Sequence, residues 1–285
     1  MRPMLLKRFA AARIDPVEVR APNAPGRTRR RLLGLPIAGI GAAMVPALFG
    51  RSARAAELTS VVAAAKPSIV AIGLFAPLQN PQFRFLGSGF AVGDGKQVVT
   101  CAHVIPTIDP ARRESIAVAV PGAEGTKVYQ AKPAVLDRDA DLAVLDFEGP
   151  ALPALALADA ADIREGTDVV LLGFPIGSAL GLFAAAHRGV IAAITPMITP
   201  ALNSNNLKAQ KLQVMRGPPI SLLQLDATTF PGNSGGPLID VATGRVVGVI
   251  SLGLAKGNRE SAIQYPSGIS YAVPVGYLAP LLGPR

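Results

Sequence analysis

From Glu57 onward the chain alternates short apolar runs with clusters of Gly, Pro, Asn and Asp. Runs of roughly four to eight residues rich in Val, Ile, Leu and Phe, bounded by turn formers, read as strands; helices need longer stretches with a 3.6-residue period. The pattern predicts strands over Ser68–Phe75, Leu86–Val92, Gln97–Cys101, Ser115–Val120, Leu142–Phe147, Asp168–Leu172, Arg188–Ile194, Arg245–Leu252 and Ile269–Val273. Asp94-Gly95 falls between two of these runs and marks a hairpin turn, because glycine accepts the positive φ such turns need. Many short strands at this spacing predict an all-β barrel or sandwich architecture. The Ala-, Leu- and Pro-rich stretch from Ala151 to Ala161 divides the strands into two blocks of similar size and is expected to link two barrels. Thr195–Pro219, with Pro200, Asn203, Asn205, Asn206 and three basic groups, is expected to be a long surface loop or protruding hairpin. No solenoid-type repeat is present. The short segment Leu58–Ala65 suits either a capping helix or an oligomer contact.

The first 55 residues follow another pattern. A basic stretch precedes an apolar run from Leu32 to Gly50, and Ala53-Arg54-Ala55 follows it. That order matches the three regions of an export signal, with cleavage expected after Ala55. Thr28-Arg29-Arg30-Arg31-Leu32-Leu33 resembles the twin-arginine signal, whose route carries folded proteins and implies a periplasmic or secreted location. The competing reading is an uncleaved anchor, since about 20 apolar residues span a bilayer. Pro36, Pro46, Gly34, Gly39 and Gly41 make this run a poor helix, so no stable anchor is expected after cleavage.

Composition narrows the partners. Of 285 residues 50% are apolar, which excludes a disordered or collagen-like chain and allows a sizeable core. Eleven of the 28 basic residues but only two of the 19 acids lie in the first 55 positions, so that segment holds the whole formal charge of +9. The body beyond it is neutral and lacks the electrostatic footprint of a nucleic-acid binder. One cysteine allows no internal disulfide, leaving the exported body to its core or its partners. Two distant histidines and that cysteine offer no metal-ligand spacing, so no metal and no cofactor are expected.

The chemistry concentrates in Gly232-Asn233-Ser234-Gly235-Gly236-Pro237. A serine flanked by glycines on a tight turn presents its hydroxyl while nearby backbone N–H groups stay available for an oxyanion. The same letters fit the G-x-S-x-G elbow of α/β-hydrolases, but there the histidine follows the serine. Here both histidines, His103 and His187, precede Ser234. His103 ends the β-branched run Val98–Val104, and Asp141 directly precedes the apolar Leu142–Leu145. The order His, Asp, Ser is that of chymotrypsin-type proteases. Asp137 and Asp139 compete with Asp141, and strand alternation would put Asp139 and Asp141 on one face. His187 reads as an exposed loop residue and Cys101 as a buried small hydrophobe.

The ordered set Gly87-Ser88-Gly89-Phe90, Thr100-Cys101-Ala102-His103-Val104, Asp141-Leu142-Ala143-Val144-Leu145, Gly173-Phe174-Pro175, Gly189-Val190-Ile191, Pro231–Leu238 and Ile269–Pro274 resembles the HtrA (Deg) kind of trypsin-like serine protease. The resemblance implies two six-stranded antiparallel β-barrels of chymotrypsin type with the active site between them. Residues 1–55 would be the signal, 56–155 the first barrel and 156–285 the second. It implies His103 as general base, Asp141 as its orienting acid, Ser234 as nucleophile, and the N–H groups of Gly232 and Ser234 as oxyanion donors. Thr228, six residues before the nucleophile, stands where a trypsin-like enzyme carries its acid, so small or medium apolar side chains are the expected fit at the cleavage site. Ser251 is expected beside Thr228 in the substrate pocket. Polypeptide is the expected substrate, and a homotrimer the possible assembly. Only 11 residues follow Pro274, too few for the PDZ domain usual in these proteins. The alternative is a catalytically silent relative that binds peptide in the same cleft.

Overall fold

The structure is a computed structural model that describes residues 57–108, 110–177, 181–196, 220–251 and 268–283. The expected signal segment and nearly all of the expected loop at 195–219 lie outside the described residues. Two closed barrels are present. The first contains β1 (Ile69–Phe75), β2 (Phe83–Val92), β3 (Gln97–Thr100), β4 (Ser115–Gly122), β5 (Gly125–Asp137) and β6 (Leu142–Phe147), closed in the order β1-β2-β3-β6-β5-β4. The second contains β7 (Asp168–Gly173), β8 (Ala185–Pro196), β9 (Ser221–Asp226), β10 (Pro237–Asp240), β11 (Val246–Ile250) and β12 (Ile269–Pro274), closed in the order β10-β11-β12-β9-β8-β7. Numbered from its own first strand, each barrel has the same order. Every ladder is antiparallel, and closure leaves neither sheet with an open edge.

Core side chains sit where the apolar runs meet the barrel interiors. Phe90, Ile72, Leu142 and Leu145 are wholly buried in the first barrel, and Leu171, Ile191, Leu223, Leu238 and Ile239 in the second. Three strands were not anticipated. β5 is 13 residues long, but Ala131 is its single buried residue, so it carries almost no apolar period. β10 is a four-residue strand that begins inside the glycine motif. β9 follows directly on the expected loop.

The Asp94-Gly95 turn forms: Gly95 has φ 83°, and the Asp94 carboxylate accepts from the Lys96 N–H at 2.9 Å. The Ala-rich stretch is an extended strap hydrogen-bonded to both barrels. Leu152 N–H reaches Gly95 O and Leu155 N–H reaches Ala91 O, while Ala158 N–H reaches Val246 O. Residues 57–65 form the helix α1, which lays Leu58, Val61 and Val62 against the core. Among the described residues no helix is long and apolar enough to cross a membrane.

Candidate active site

The first barrel supplies an acid and a base from two strand ends. β3 stops at Thr100, and a 3-10 turn over Ala102–Val104 lifts His103 off the sheet. β5 runs into a turn in which the Asp137 carboxylate accepts from the N–H groups of Asp139 and Ala140 at 3.0 and 2.9 Å. Asp137 therefore caps the turn and is not available to orient a base. The turn ends at Asp141, whose φ of 55° lies in the left-handed region that Asp tolerates better than most residues. Strand alternation does not apply across 138–141, and Asp141 alone is delivered to His103.

Two backbone bonds lock that pairing, Ala102 N–H to Asp141 O at 3.1 Å and His103 N–H to Asp141 Oδ1 at 2.9 Å. The imidazole Nδ1 lies 2.7 Å from Oδ2 and 3.0 Å from Oδ1. Burial pushes the Asp141 pKa up, but hydrogen bonding and charge attraction from His103, with a hydrogen bond from Ser251, outweigh it, and the pKa lies below its ordinary value. The carboxylate is thus ionised near neutral pH and only accepts, so Nδ1 carries the hydrogen and the Nε2 lone pair is the basic one. The carboxyl side chain is 11% exposed and the imidazole 38%, which hides the acid and leaves the base accessible.

The Ser251 hydroxyl, wholly buried, donates to Asp141 Oδ2 at 2.6 Å and so braces the acid of the other barrel. A contact between positions 110 residues apart leaves no trace in local sequence.

The second barrel supplies the turn that carries Ser234. Asn233 N–H bonds Phe230 O at 3.0 Å, closing a four-residue turn with Pro231 second and Gly232 third; Gly232 has φ 105°. This is the arrangement of a type II turn, in which the third residue needs positive φ and is usually glycine. Ile176 N–H donates to Pro231 O at 2.8 Å. Because the N–H and C=O of a trans peptide point opposite ways, that bond turns the Gly232 N–H away from Ile176. Among the described residues no acceptor takes it, so this N–H is open to a ligand. Ile176 itself holds φ 49°, a strained value for a β-branched residue, costing on the order of 1–3 kcal/mol.

Ser234 lies next on the chain and is buried, 6% exposed. The loop around it rests on the strand end that carries His103. A methyl group at Gly235 would collide with Ser88 O and Thr100 Oγ1 and lie 3.1 Å from Cys101 N, so only glycine permits this approach. Gly235 N–H donates to Ile250 O at 2.8 Å, and the Cys101 thiol reaches the same carbonyl at 3.2 Å.

Thr228 is half-buried. Its neighbour Thr229, not singled out in the sequence, is buried and 2.8 Å from Ser270 Oγ. Ser270 donates to Ala227 O at 2.7 Å, so Thr229 must be the donor in that pair. His187 is not an exposed loop residue: it lies in β8, half-buried, its ring 5.9 Å from that of Phe230, and burial pushes its pKa down.

Cys101 is wholly buried, and burial, with the nearby Asp141 charge, pushes its thiol pKa well up. Cys101, His103 and Asp141 bring ligand-type atoms within 4.8 Å of one another, a proximity invisible in the sequence spacing. Each is already engaged, the thiol with Ile250 O and the other two mutually.

Comparison with known proteins agrees with this geometry. The trypsin-like peptidase domain family matches residues 87–249. Serine protease HTRA3 of Rattus norvegicus is 29% identical over 224 residues, covering 76% of this chain and 42% of its own length. Serine protease HTRA4 of Homo sapiens is 31% identical over 221 residues, covering 76% and 39%. The chain thus spans well under half of these relatives. Among solved structures, an HtrA-type protease AlgW with decapeptide superposes with a TM-score of 0.56 at 24% identity, covering 79% of this chain and 66% of that one, which is a likeness of fold. With more than half its length matched and the His103–Asp141 pair and the turn that carries Ser234 inside the match, the chain belongs to the trypsin-like peptidase domain family and is HtrA-like within it.

Proposed function

We propose that the chain is a serine endopeptidase that cuts unfolded or flexible polypeptides after export by the twin-arginine route. The observation that supports this reading most is the coexistence of an ionised Asp141 bound to His103 Nδ1 with a type II turn that frees the Gly232 N–H. A serine hydroxyl is a weak nucleophile until a base removes its proton. His103 Nε2 takes the Ser234 proton as Oγ attacks the scissile carbonyl, and Asp141 stabilises the imidazolium that forms. Charge developing on the carbonyl oxygen is received by the N–H groups of Gly232 and Ser234. His103 then protonates the leaving amine, and water repeats the sequence on the acyl-enzyme. With Thr228 in place of a carboxylate, the pocket gains no ion pair with Lys or Arg, which favours small or medium apolar side chains before the cut.

The test is covalent labelling of the purified full chain with a fluorophosphonate probe, alongside digestion of casein, with Ser234→Ala as control. Ser234→Ala is expected to abolish both signals at unchanged melting temperature. No labelling of a folded wild-type sample moves the reading to a silent peptide-binding relative. Export is tested by the intact mass of the secreted protein, which should begin at Ala56; a mass retaining Leu32–Gly50 supports an anchor instead. The homotrimer implied by the resemblance is tested by the mass in solution.

A further inference from the structure

Ser88 stands on β2, in the first barrel, at the point where the β2–β3 ladder has ended. That ladder pairs Phe90 with Val99, Ala91 with Val98 and Val92 with Gln97, and goes no further because the chain turns at Cys101 to present His103. At Ser88 the backbone pairing with β3 has ended, so the Thr100 side chain of β3 takes the Ser88 carbonyl and the second barrel takes the Ser88 N–H. Ser88 N–H donates to Ser234 O at 2.8 Å, and Ser88 O accepts from Thr100 Oγ1 at 2.8 Å. The hydroxyl crosses as well. It donates to Gly232 O at 2.6 Å and accepts from Phe174 N–H at 2.9 Å. Ser88 is wholly buried, so its polar groups have protein partners in place of water.

These bonds converge on one peptide segment. Gly232 O and Ser234 O are the carbonyls on either side of the Asn233–Ser234 peptide, whose N–H is an oxyanion donor in the reading above. The Asn233 side chain adds no anchor of its own, since both polar atoms of its carboxamide are buried without a hydrogen-bond partner among the described residues. Phe174, held by the same hydroxyl, begins the turn whose Ile176 N–H fixes Pro231 O. One side chain therefore touches both supports of the nucleophile turn.

We propose that Ser88 is a positioning residue for the reaction: its hydroxyl and N–H clamp the carbonyls of Gly232 and Ser234 and hold the nucleophile turn of the second barrel in its oxyanion-binding form. The inference rests on the protease reading. It touches no substrate and no reacting atom, and acts through the turn alone. Removing one oxyanion donor outright costs on the order of 100- to 1,000-fold in rate. Loosening the clamp is expected to cost on the order of tenfold to a hundredfold, in kcat rather than KM.

The experiment compares the full chain with Ser88→Ala, Ser88→Cys and Ser88→Thr, reading melting temperature, fluorophosphonate labelling rate, and kcat and KM on a fluorogenic peptide. Ser88→Cys fills the space with a weak donor, and so reads the hydroxyl even if Ser88→Ala fails to fold. The expected result is a loss of kcat and labelling rate in Ser88→Ala and Ser88→Cys, with KM within about threefold of wild type, and recovery in Ser88→Thr. Wild-type kcat in either Ser88→Ala or Ser88→Cys overturns the proposal, as does equal impairment of Ser88→Thr and Ser88→Cys, because the hydroxyl is then not what matters. A wild type that neither labels nor cleaves removes the protease reading and this inference with it; a wild type that labels beside an equally active Ser88→Cys removes the inference alone.

Discussion

The two barrels share one strand order but hold their parts of the active site in different ways. In the first, acid and base stand on neighbouring strand ends, β3 and β6, and lock each other through bonds from the His103 and Ala102 backbone and the imidazole. From the second barrel the Ser251 hydroxyl adds a bond to that pair. That barrel's own contribution, the turn from Phe230 to Gly236, belongs to no strand and is held from two sides, by Ile176 and Ile250 of its own barrel and by Ser88 across the barrel boundary. A base must keep one tautomer and one direction, which short local bonds achieve. An oxyanion site must aim backbone donors, and a peptide in a turn is aimed by whatever holds its carbonyls.

The sharpest test of the first barrel is Asp141→Asn. The amide preserves the shape but offers a donor to Nδ1, which selects the wrong imidazole tautomer. A kcat loss of ~10,000-fold is expected with little change in KM. A loss below about tenfold would mean that His103 does not depend on Asp141 for its tautomer.

Much of this division was legible in the sequence. Leu142–Leu145 is an unbroken apolar run behind an acid, and the strand follows from that, while the choice of Asp141 over Asp139 came from the resemblance. The spacing of Gly232, Ser234 and Gly235 gave away the turn because each glycine answers a local demand, positive φ or a close backbone approach. β5 was hidden because its side chains mostly face outward. The bonds of Ser251 and Ser88 were not legible for one shared reason: they run to residues more than 100 positions away. Asp141 illustrates the reverse case, where a local rule misled. Alternation placed Asp139 beside it, and a left-handed residue at the strand entrance removed the alternation.

For the second barrel the corresponding break is Ile176→Pro. Proline has no N–H for Pro231 O and cannot hold a positive φ. The Pro231–Gly232 peptide is then free to turn over, which withdraws the Gly232 donor. On the order of 100- to 1,000-fold should be lost from kcat and from the labelling rate, while the His103–Asp141 pair stays intact. Nuclear magnetic resonance of the Nδ1 proton checks that last point. Loss of this proton together with activity would show that the two barrels are not held independently.

Ser251→Ala probes the one bond that crosses toward the acid. Removing a hydrogen bond to a charged buried group costs about 1.5–3 kcal/mol in stability. With the His103 bonds kept, kcat is expected to fall by about tenfold or less and KM to stay put. The opposite split, KM raised and kcat kept, would place the work of Ser251 in the substrate pocket.

The smallest effect is in the pH dependence of stability. A carboxyl group whose pKa is lowered in the folded state stabilises the fold fully above its unfolded value, near 3.8, and that contribution fades as pH falls through the lower folded value. The urea stability of wild type minus that of Asp141→Asn should therefore be constant from neutral pH down to about 4 and shrink below it. Repeating the subtraction in a Ser251→Ala background weighs the second barrel's share. One of the bonds that lowers the pKa is then gone while burial still raises it, so the contribution should be smaller and its decline, which still begins near the unfolded value, should end at a higher pH. If the two backgrounds decline together, the carboxylate owes its low pKa to His103 alone, and the first barrel holds its acid without help from the second.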